Sequence, residues 1–390
     1  VIHFCFDDLG PNPDLGYPNL AQHNLASDQF DTTWPRSIPL RLMMYFQYAG
    51  IPFKSWLVGA CPRGSWYPVA LSWHDHSIDY FSLMSPQILQ ALRRKHIKVL
   101  FYYHEGDNPA VIKHLMDQHT QINRLPPDCY HFISANSRAD QIANFRYFSD
   151  HEHFFQYINR RQKAPELDLS LRSKQFVALN RTHKWWRASI MADLWHRDLL
   201  KNSLWSYNTE CTIDDAMDHN PLMVYEYRSW PEQINRFIAN GPYWCDSADP
   251  DNHNDHRWVN VDLYRSCYCH LIIETHFDAD GSQGAFITEK TYKCLKYAQP
   301  FIVIGTPGTL ELLRQNGYRV FDHVLDNRYD RIQDNTQRWL SIRGLIEQLA
   351  KQDLHSWFSR CMEDLQHNQS QFQSHDKKDL RDLAAYLDTV

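Results

Sequence analysis

The sequence has no C-x-x-C pair, and its nine Cys are an odd, scattered set in which Cys267 and Cys269 stand closest. That usage argues against a disulfide framework and fits a reduced, intracellular protein best, with Cys294 acting as a small hydrophobe in an apolar stretch. No run approaches eighteen apolar residues, which excludes a membrane-spanning helix. No signal peptide is visible, although the chain opens on Val and a leader could be missing; the expected location is the cytoplasm of a bacterium or a virus-infected cell. There is no basic surplus either. The net charge of −6 speaks against a dedicated nucleic-acid binder. Repeats and low-complexity segments are absent.

A zinc signature is also missing. The 22 His include three clusters, His74/His76, His151/His153 and His253/His256. None forms H-E-x-x-H and none has a Cys/His partner pair at zinc spacing, so solvated loop histidines are expected and no metal.

What is present is length and aromatic content. A chain of 390 residues is too long for one comfortable core, so two domains are expected. Aromatic residues make up 14%, including 13 Trp and 21 Tyr, which suits a folded core with grooves.

Strand and helix patterns alternate along the chain. Ile2–Phe6 suggests a strand and Leu40–Ala49 a helix. Ser85–His96 predicts a helix with Pro86 in its first turn. Ile97–Tyr103 predicts a buried strand, Ala110–Asn123 a helix, Cys129–Asn136 a strand and Ser137–Asn144 a short helix. A polar stretch, Asn159–Lys174, predicts a linker. The alternation restarts with strand Gln175–Asn180, helix Lys184–Leu200 and strand Ser203–Tyr207. Residues 209–260 look irregular. Then come strand Cys269–Thr275, helix Thr288–Tyr297, strand Pro300–Gly305, helix Thr309–Asn316 and strand Tyr318–Phe321, with a helical tail from Asp334. This order predicts an α/β protein with mainly parallel sheets. The expected domains are 1–165, 175–350 and a helical tail over 351–390.

Ligands of open parallel sheets bind beyond the carboxyl ends of strands. Four such ends carry polar groups. "LNRTHKWWR" places Arg181, Lys184 and Arg187 at the mouth of a helix whose apolar stripe is Ala188, Met191, Ala192, Trp195 and Leu199. Cations at a helix N-terminus oppose the macrodipole at roughly 0.3–1 kcal/mol each, and a bound anion reverses that sign. The alternative is that these side chains extend into water. "IIETHFDADGSQGAFITEKT" ends a buried strand at Glu274 and opens a helix with Thr288 as N-cap and Glu289 and Lys290 behind it. A carboxylate there can accept from the vicinal hydroxyls of a ribose or sugar, and Lys290 can neutralise a phosphate. "VIGTPGTLELL" sets Gly305 and Gly308 around Pro307, a turn that leaves N–H groups free to face a phosphate or sugar. "FYYHEGDNP" puts Glu105 and Asp107 directly after a strand, where a carboxylate can act as general base and His104 is a rival.

Over residues 175–330 these motifs resemble the donor half of GT-B glycosyltransferases, most closely the α1,3-fucosyltransferase type. The elements that carry the likeness are "IIET", "FITEKT", "QPFIVIG" and the basic "LNRTHKWWR". Phage and bacterial proteins with a Thr-Glu-Lys-Thr segment before a Gly-Thr-Leu helix are similar too. The resemblance implies two Rossmann-like domains facing across a cleft and an inverting, metal-independent transferase. No cofactor is implied beyond a GDP- or UDP-linked sugar as substrate. It would place Arg181, Lys184 or Arg187, and Lys290 on the pyrophosphate. Glu289 and Glu274 would hold sugar hydroxyls, and Glu105 would act as the base on a glycan or other hydroxyl acceptor. "ETHF" stands where the family has Glu-Asn-Ser, and "TYKCLKYAQP" lacks the family helix's small-residue end, so the sugar stays open. Two other readings stay beside it: a non-catalytic sugar-binding or viral structural protein, and a DNA-base glycosyltransferase, which the acidic balance disfavours.

Overall fold

A computed structural model describes residues 1–6, 38–71, 77–159, 162–180, 182–209, 230–245, 259–279, 284–373 and 377–390. The chain divides into two compact units, Val1–Phe154 with Asp376–Val390, and Phe155–His375.

In the first unit, strands β1 (Ile2–Phe6), β2 (Phe53–Leu57), β3 (Ser65–Leu71), β4 (Ile97–Tyr103), β5 (Tyr130–Ser134) and β6 (Phe145–Tyr147) form one sheet in the order β2-β1-β3-β4-β5-β6. Every pairing is parallel. Helices α1 (Ile38–Ala49), α2 (Pro86–Arg93), α3 (Pro109–Ile122) and α4 (Asp150–Ile158) belong to its connections. The starts of α2 and α3 follow the capping rules: Ser85 and Asn108 accept from first-turn N–H groups, and Pro86 and Pro109 sit where no N–H is needed. The last helix of the chain (Lys378–Thr389) also packs here. Trp66 Nε1 donates to its Leu387 carbonyl at 2.9 Å. Strand β4 is buried on both faces, as a covered parallel sheet requires. Phe101 lies at its centre, ringed by Tyr80, Phe81, Tyr130 and Phe132.

A buried ion pair ties α1 to α4. Arg41 Nη1 lies 2.5 Å from Asp150 Oδ2. Tyr45 donates to Asp150 Oδ1 at 3.0 Å, and the Tyr102 hydroxyl donates to the same oxygen. Burial works to raise the Asp150 pKa, but Arg41, His104 and His151 outweigh it and hold the group down to about 2.

The second unit repeats the scheme. Strands β7 (Lys174–Asn180), β8 (Leu204–Tyr207), β9 (Cys267–Ile273) and β10 (Phe301–Ile304) form a parallel sheet in the order β8-β7-β9-β10. In chain-order terms both sheets run 2-1-3-4 from one edge. The order therefore reverses between β1 and β3 in the first sheet and between β7 and β9 in the second. Such a switch point is where ligands bind in open α/β sheets. The helices here are α5 (Trp185–His196), α6 (Trp230–Ala239), α7 (Val261–Ser266), α8 (Glu289–Lys296), α9 (Thr309–Gln315), α10 (Asn335–Ala350), α11 (Leu354–Arg360) and α12 (Met362–Gln373). The terminal helix of the first unit, Lys378–Thr389, is α13.

Helix α5 is buried more completely than a single apolar stripe predicts. Trp186 to Leu194 are all buried, whereas Trp195 and Leu199 are only half-buried. The buried Asp193 explains how a polar residue is tolerated there. It accepts from Trp339 Nε1 at 2.9 Å and Arg343 Nη1 at 3.2 Å, both on α10.

Several sequence expectations need correction. Ser137–Asn144 is not a helix: a single 3-10 turn, Ala139–Gln141, leads straight into β6. Tyr318–Phe321 forms no strand. Strands β2, β3 and β6 and helices α4, α6 and α7 were not anticipated; α6 lies inside the span read as irregular and α7 directly follows it. The expected break at 165–175 and a separate tail over 351–390 differ from the observed division, in which the chain returns to the first unit only at its last residues.

Replacing Arg41 with Ala strands a buried carboxylate and is expected to cost about 3–5 kcal/mol, read by urea denaturation at pH 7. A loss under about 1 kcal/mol, the level of an exposed pair, would show that Asp150 does not depend on Arg41.

Candidate functional site

At the switch point of the second sheet, β7 ends on Asn180 and β9 runs into Glu274. The Glu274 side chain is fully buried. Its Oε1 accepts from Thr288 N at 3.2 Å and Thr291 Oγ1 at 2.6 Å, and its Oε2 accepts from Thr288 Oγ1 at 2.5 Å. Thr288 is the N-cap of α8, and its hydroxyl accepts from Lys290 N. Thr291 stands three residues on, one turn along the same helix face. The Thr-Glu-Lys-Thr motif thus seats the mouth of α8 on the end of β9 through two hydroxyls and one carboxylate.

Three cations converge on the same strand end. Arg187 Nη2 donates to the Glu274 carbonyl at 2.9 Å and Nη1 to the Thr182 carbonyl at 3.2 Å. Lys184, the N-cap residue of α5, places Nζ 3.4 Å from the Thr275 carbonyl. Lys290 Nζ lies 3.1 Å from Thr288 Oγ1 and 3.4 Å from Glu289 Oε1. Arg187 is buried, while Lys184, Lys290 and Glu289 are partly open. Arg181 lies outside the described residues, as does the ring of Trp185.

The N-cap residue of α5, Lys184, makes no capping hydrogen bond with its side chain. Behind it, His183 is buried with Nδ1 2.8 Å from the Tyr207 hydroxyl, which also lies 3.3 Å from the Lys184 carbonyl. Burial pushes the Tyr207 phenol well up, so it stays protonated and serves as a hydrogen-bond post.

The Gly305–Gly308 turn is a correction. The Gly308 N–H and two N–H groups of α9 behind it are not free for a ligand. Gly308 N donates to the Asp330 carbonyl at 2.8 Å, and Leu310 N and Glu311 N donate to the two Asp330 carboxylate oxygens at 3.0 Å each. A carboxylate twenty residues away has capped α9, which no local reading of the turn detects. A Cβ at Gly305 would meet Glu274 Cβ at 3.4 Å, an ordinary van der Waals contact.

In the first unit Glu105 follows β4. His104 Nε2 lies 3.4 Å from Glu105 Oε1, and the buried Asn136 fixes the loop by donating to the Gly106 carbonyl at 2.8 Å. Burial, then Arg41, push His104 down to about 3. It is therefore neutral at ordinary pH and a weak rival base. Among the described residues no group of three His, Cys, Asp or Glu could hold a metal. His151 and His153 lie on α4, where His153 pairs with Asp379; His74, His76, His253 and His256 lie outside the described residues. Among the described residues, no helix is long and apolar enough to cross a membrane.

The sequence reading missed the buried amide of Asn180, the His183–Tyr207 pair and the Asp330 cap. Only Asn180 had a local signal, a polar residue closing the buried run "QFVALN".

No protein-family model matches the chain, and no curated protein matches its sequence. Among solved structures it is similar to a DNA-modifying enzyme, β-glucosyltransferase, crystallised with and without its substrate uridine diphosphoglucose. The identity is 12%, the alignment covers 99% of this chain and 100% of that one, and the TM-score is 0.42. A likeness at that level assigns no activity.

His270, on β9 beside Cys294, supplies a pH test. Burial, then Lys293 and Lys290, lower its pKa from 6.5 to about 3. The unfolded chain binds a proton that the folded one refuses, so stability is full above about 6.5 and falls as pH drops towards about 3. The expected slope is ~1.4 kcal/mol per pH unit. His270→Leu should remove about 2 kcal/mol of the loss between pH 6.5 and pH 5 in urea titrations. An unchanged loss would mean that His270 charges freely in the folded state.

Proposed function

We propose that this chain is a glycosyltransferase of the GT-B type. It binds a UDP- or GDP-linked sugar in its second unit and passes the sugar to an acceptor hydroxyl, with inversion and without a metal. The observation that carries the reading is the gathering of Lys184, Arg187 and Lys290 around the end of β9 at the sheet's switch point. That is the place where an open α/β sheet receives ligands, and the N-terminus of α5 adds a partial positive charge to it.

The residues divide into two groups on this reading. Lys184 and Lys290 are partly open, so their ammonium groups meet the diphosphate. Glu289, beside Lys290, accepts from ribose or sugar hydroxyls. Arg187 is buried and spends donors on two backbone carbonyls, so it sets the spacing of the strand end and adds its charge from behind. Glu274 leaves the set of ligand contacts, because Thr288 and Thr291 occupy its oxygens. It becomes a positioning residue. Glu105 takes the acceptor proton.

Titration calorimetry with UDP and GDP tests this. Lys184→Ala and Lys290→Ala should each weaken the bound nucleotide about tenfold, the worth of a charge-assisted hydrogen bond, with stability within ±0.5 kcal/mol. Arg187→Ala should weaken binding and also cost ~1–3 kcal/mol of stability, because two carbonyls lose their donor. Glu105→Gln should keep nucleotide binding and lose transfer. Wild-type protein that binds neither nucleotide, or lysine variants that bind as well as wild type, would contradict the reading.

A further inference from the structure

Asn180 closes β7 at the switch point, and its side chain is unaccounted for by the fold. Both Oδ1 and Nδ2 are buried without a hydrogen-bond partner among the described residues, and the residue is 2% exposed. Its backbone has no such deficit, since its carbonyl accepts from Asn208 N at 3.1 Å. A buried amide left unmatched destabilises the fold, a cost that an apolar residue at the end of a buried strand would avoid.

The register shows where the amide points. Asn180 pairs with Tyr207 across β7 and β8, and laterally paired residues share a sheet face. The Tyr207 hydroxyl on that face reaches His183 and the Lys184 carbonyl, which is the N-terminus of the twelve-residue helix α5. The orphaned amide and the N-terminus of α5 therefore address one place.

Their chemical demands differ. The helix end and Lys184 favour an anion. The amide offers a donor and an acceptor together. A phosphate oxygen only accepts, so it would satisfy Nδ2 and leave Oδ1 unmatched. Oδ1 needs a donor, which a hydroxyl supplies and an ionised phosphate does not.

We infer that Asn180 is a specificity-determining residue that binds a hydroxyl of the ligand next to its phosphate, so that the site selects phosphorylated sugars or nucleotides over bare pyrophosphate. The inference rests on the nucleotide-sugar reading of the same site and adds to it the group that tells a sugar ester from a simple diphosphate.

The test is calorimetry on the full chain, wild type and Asn180→Ala, with UDP-glucose, GDP-mannose, UDP, GDP and inorganic pyrophosphate. Ligand-free thermal unfolding of both proteins accompanies it. The expected result is a loss of about tenfold for the sugar nucleotide that wild type binds, pyrophosphate affinity unchanged within about twofold, and an unfolding temperature unchanged or raised. An equal loss for the free nucleotide places the hydroxyl on the ribose. A loss confined to the sugar nucleotide places it on the transferred sugar, and both support the inference. Unchanged sugar-nucleotide affinity overturns it, as does an equal loss for pyrophosphate. A lowered ligand-free unfolding temperature also overturns it, because it marks an amide already matched within the fold. Wild-type protein silent to all five probes removes the nucleotide-sugar reading itself and this inference with it. That outcome is distinct from a wild type that binds and a variant that binds equally well.

Discussion

The buried carboxylate of Glu274 is the interaction on which the second unit's strand-end geometry depends. Three hydrogen bonds run into it from Thr288 and Thr291, and its own carbonyl receives Arg187. A negative charge at the mouth of α8 is favourable to that helix's dipole, and it also offsets the cations gathered nearby. Through Thr288 the carboxylate fixes where Lys290 stands, and through the backbone it fixes where Arg187 and hence the first turn of α5 stand. One acid therefore sets the distance between two helix mouths. A solvated glutamate in its place would leave each mouth to find its own position.

Much of this arrangement was legible in the chain, for physical reasons that differ from residue to residue. Strands β4, β7 and β9 are continuous apolar runs because both faces of a parallel sheet are covered. Thr288 announces a cap because its hydroxyl type and position fit one. The polar groups after those strands were visible because a strand's end is marked by the end of its apolar run. Other features depend on partners far away in sequence. Asp330 reaches back about twenty residues to take the N–H groups of Gly308, Leu310 and Glu311, where the segment after β10 was expected to offer free donors. Glu274 reads as an exposed ligand carboxylate until Thr288 and Thr291 are seen to fill it. Strand β2 mixes half-buried and exposed residues and has none buried, and so lacked the apolar run that betrayed the others. Helix α4 starts on Asp150, whose burial beside Arg41 no local pattern shows, since the two stand 109 residues apart in the chain.

The two units use buried charge in different ways. In the first, Arg41, Asp150, Tyr45 and Tyr102 satisfy one another in the interior and fasten helices to a sheet. In the second, the charges stand at a strand end, several are half-open, and one amide beside them is unmatched among the described residues. A closed network of this kind contributes to folding.

The most direct measurement is diffraction from crystals of the full chain soaked with UDP or GDP. The account predicts diphosphate density at the end of β9, within hydrogen-bond distance of Lys184 Nζ, Lys290 Nζ and the first N–H groups of α5. Density that instead lies in the first unit, or against the turn capped by Asp330, would contradict it.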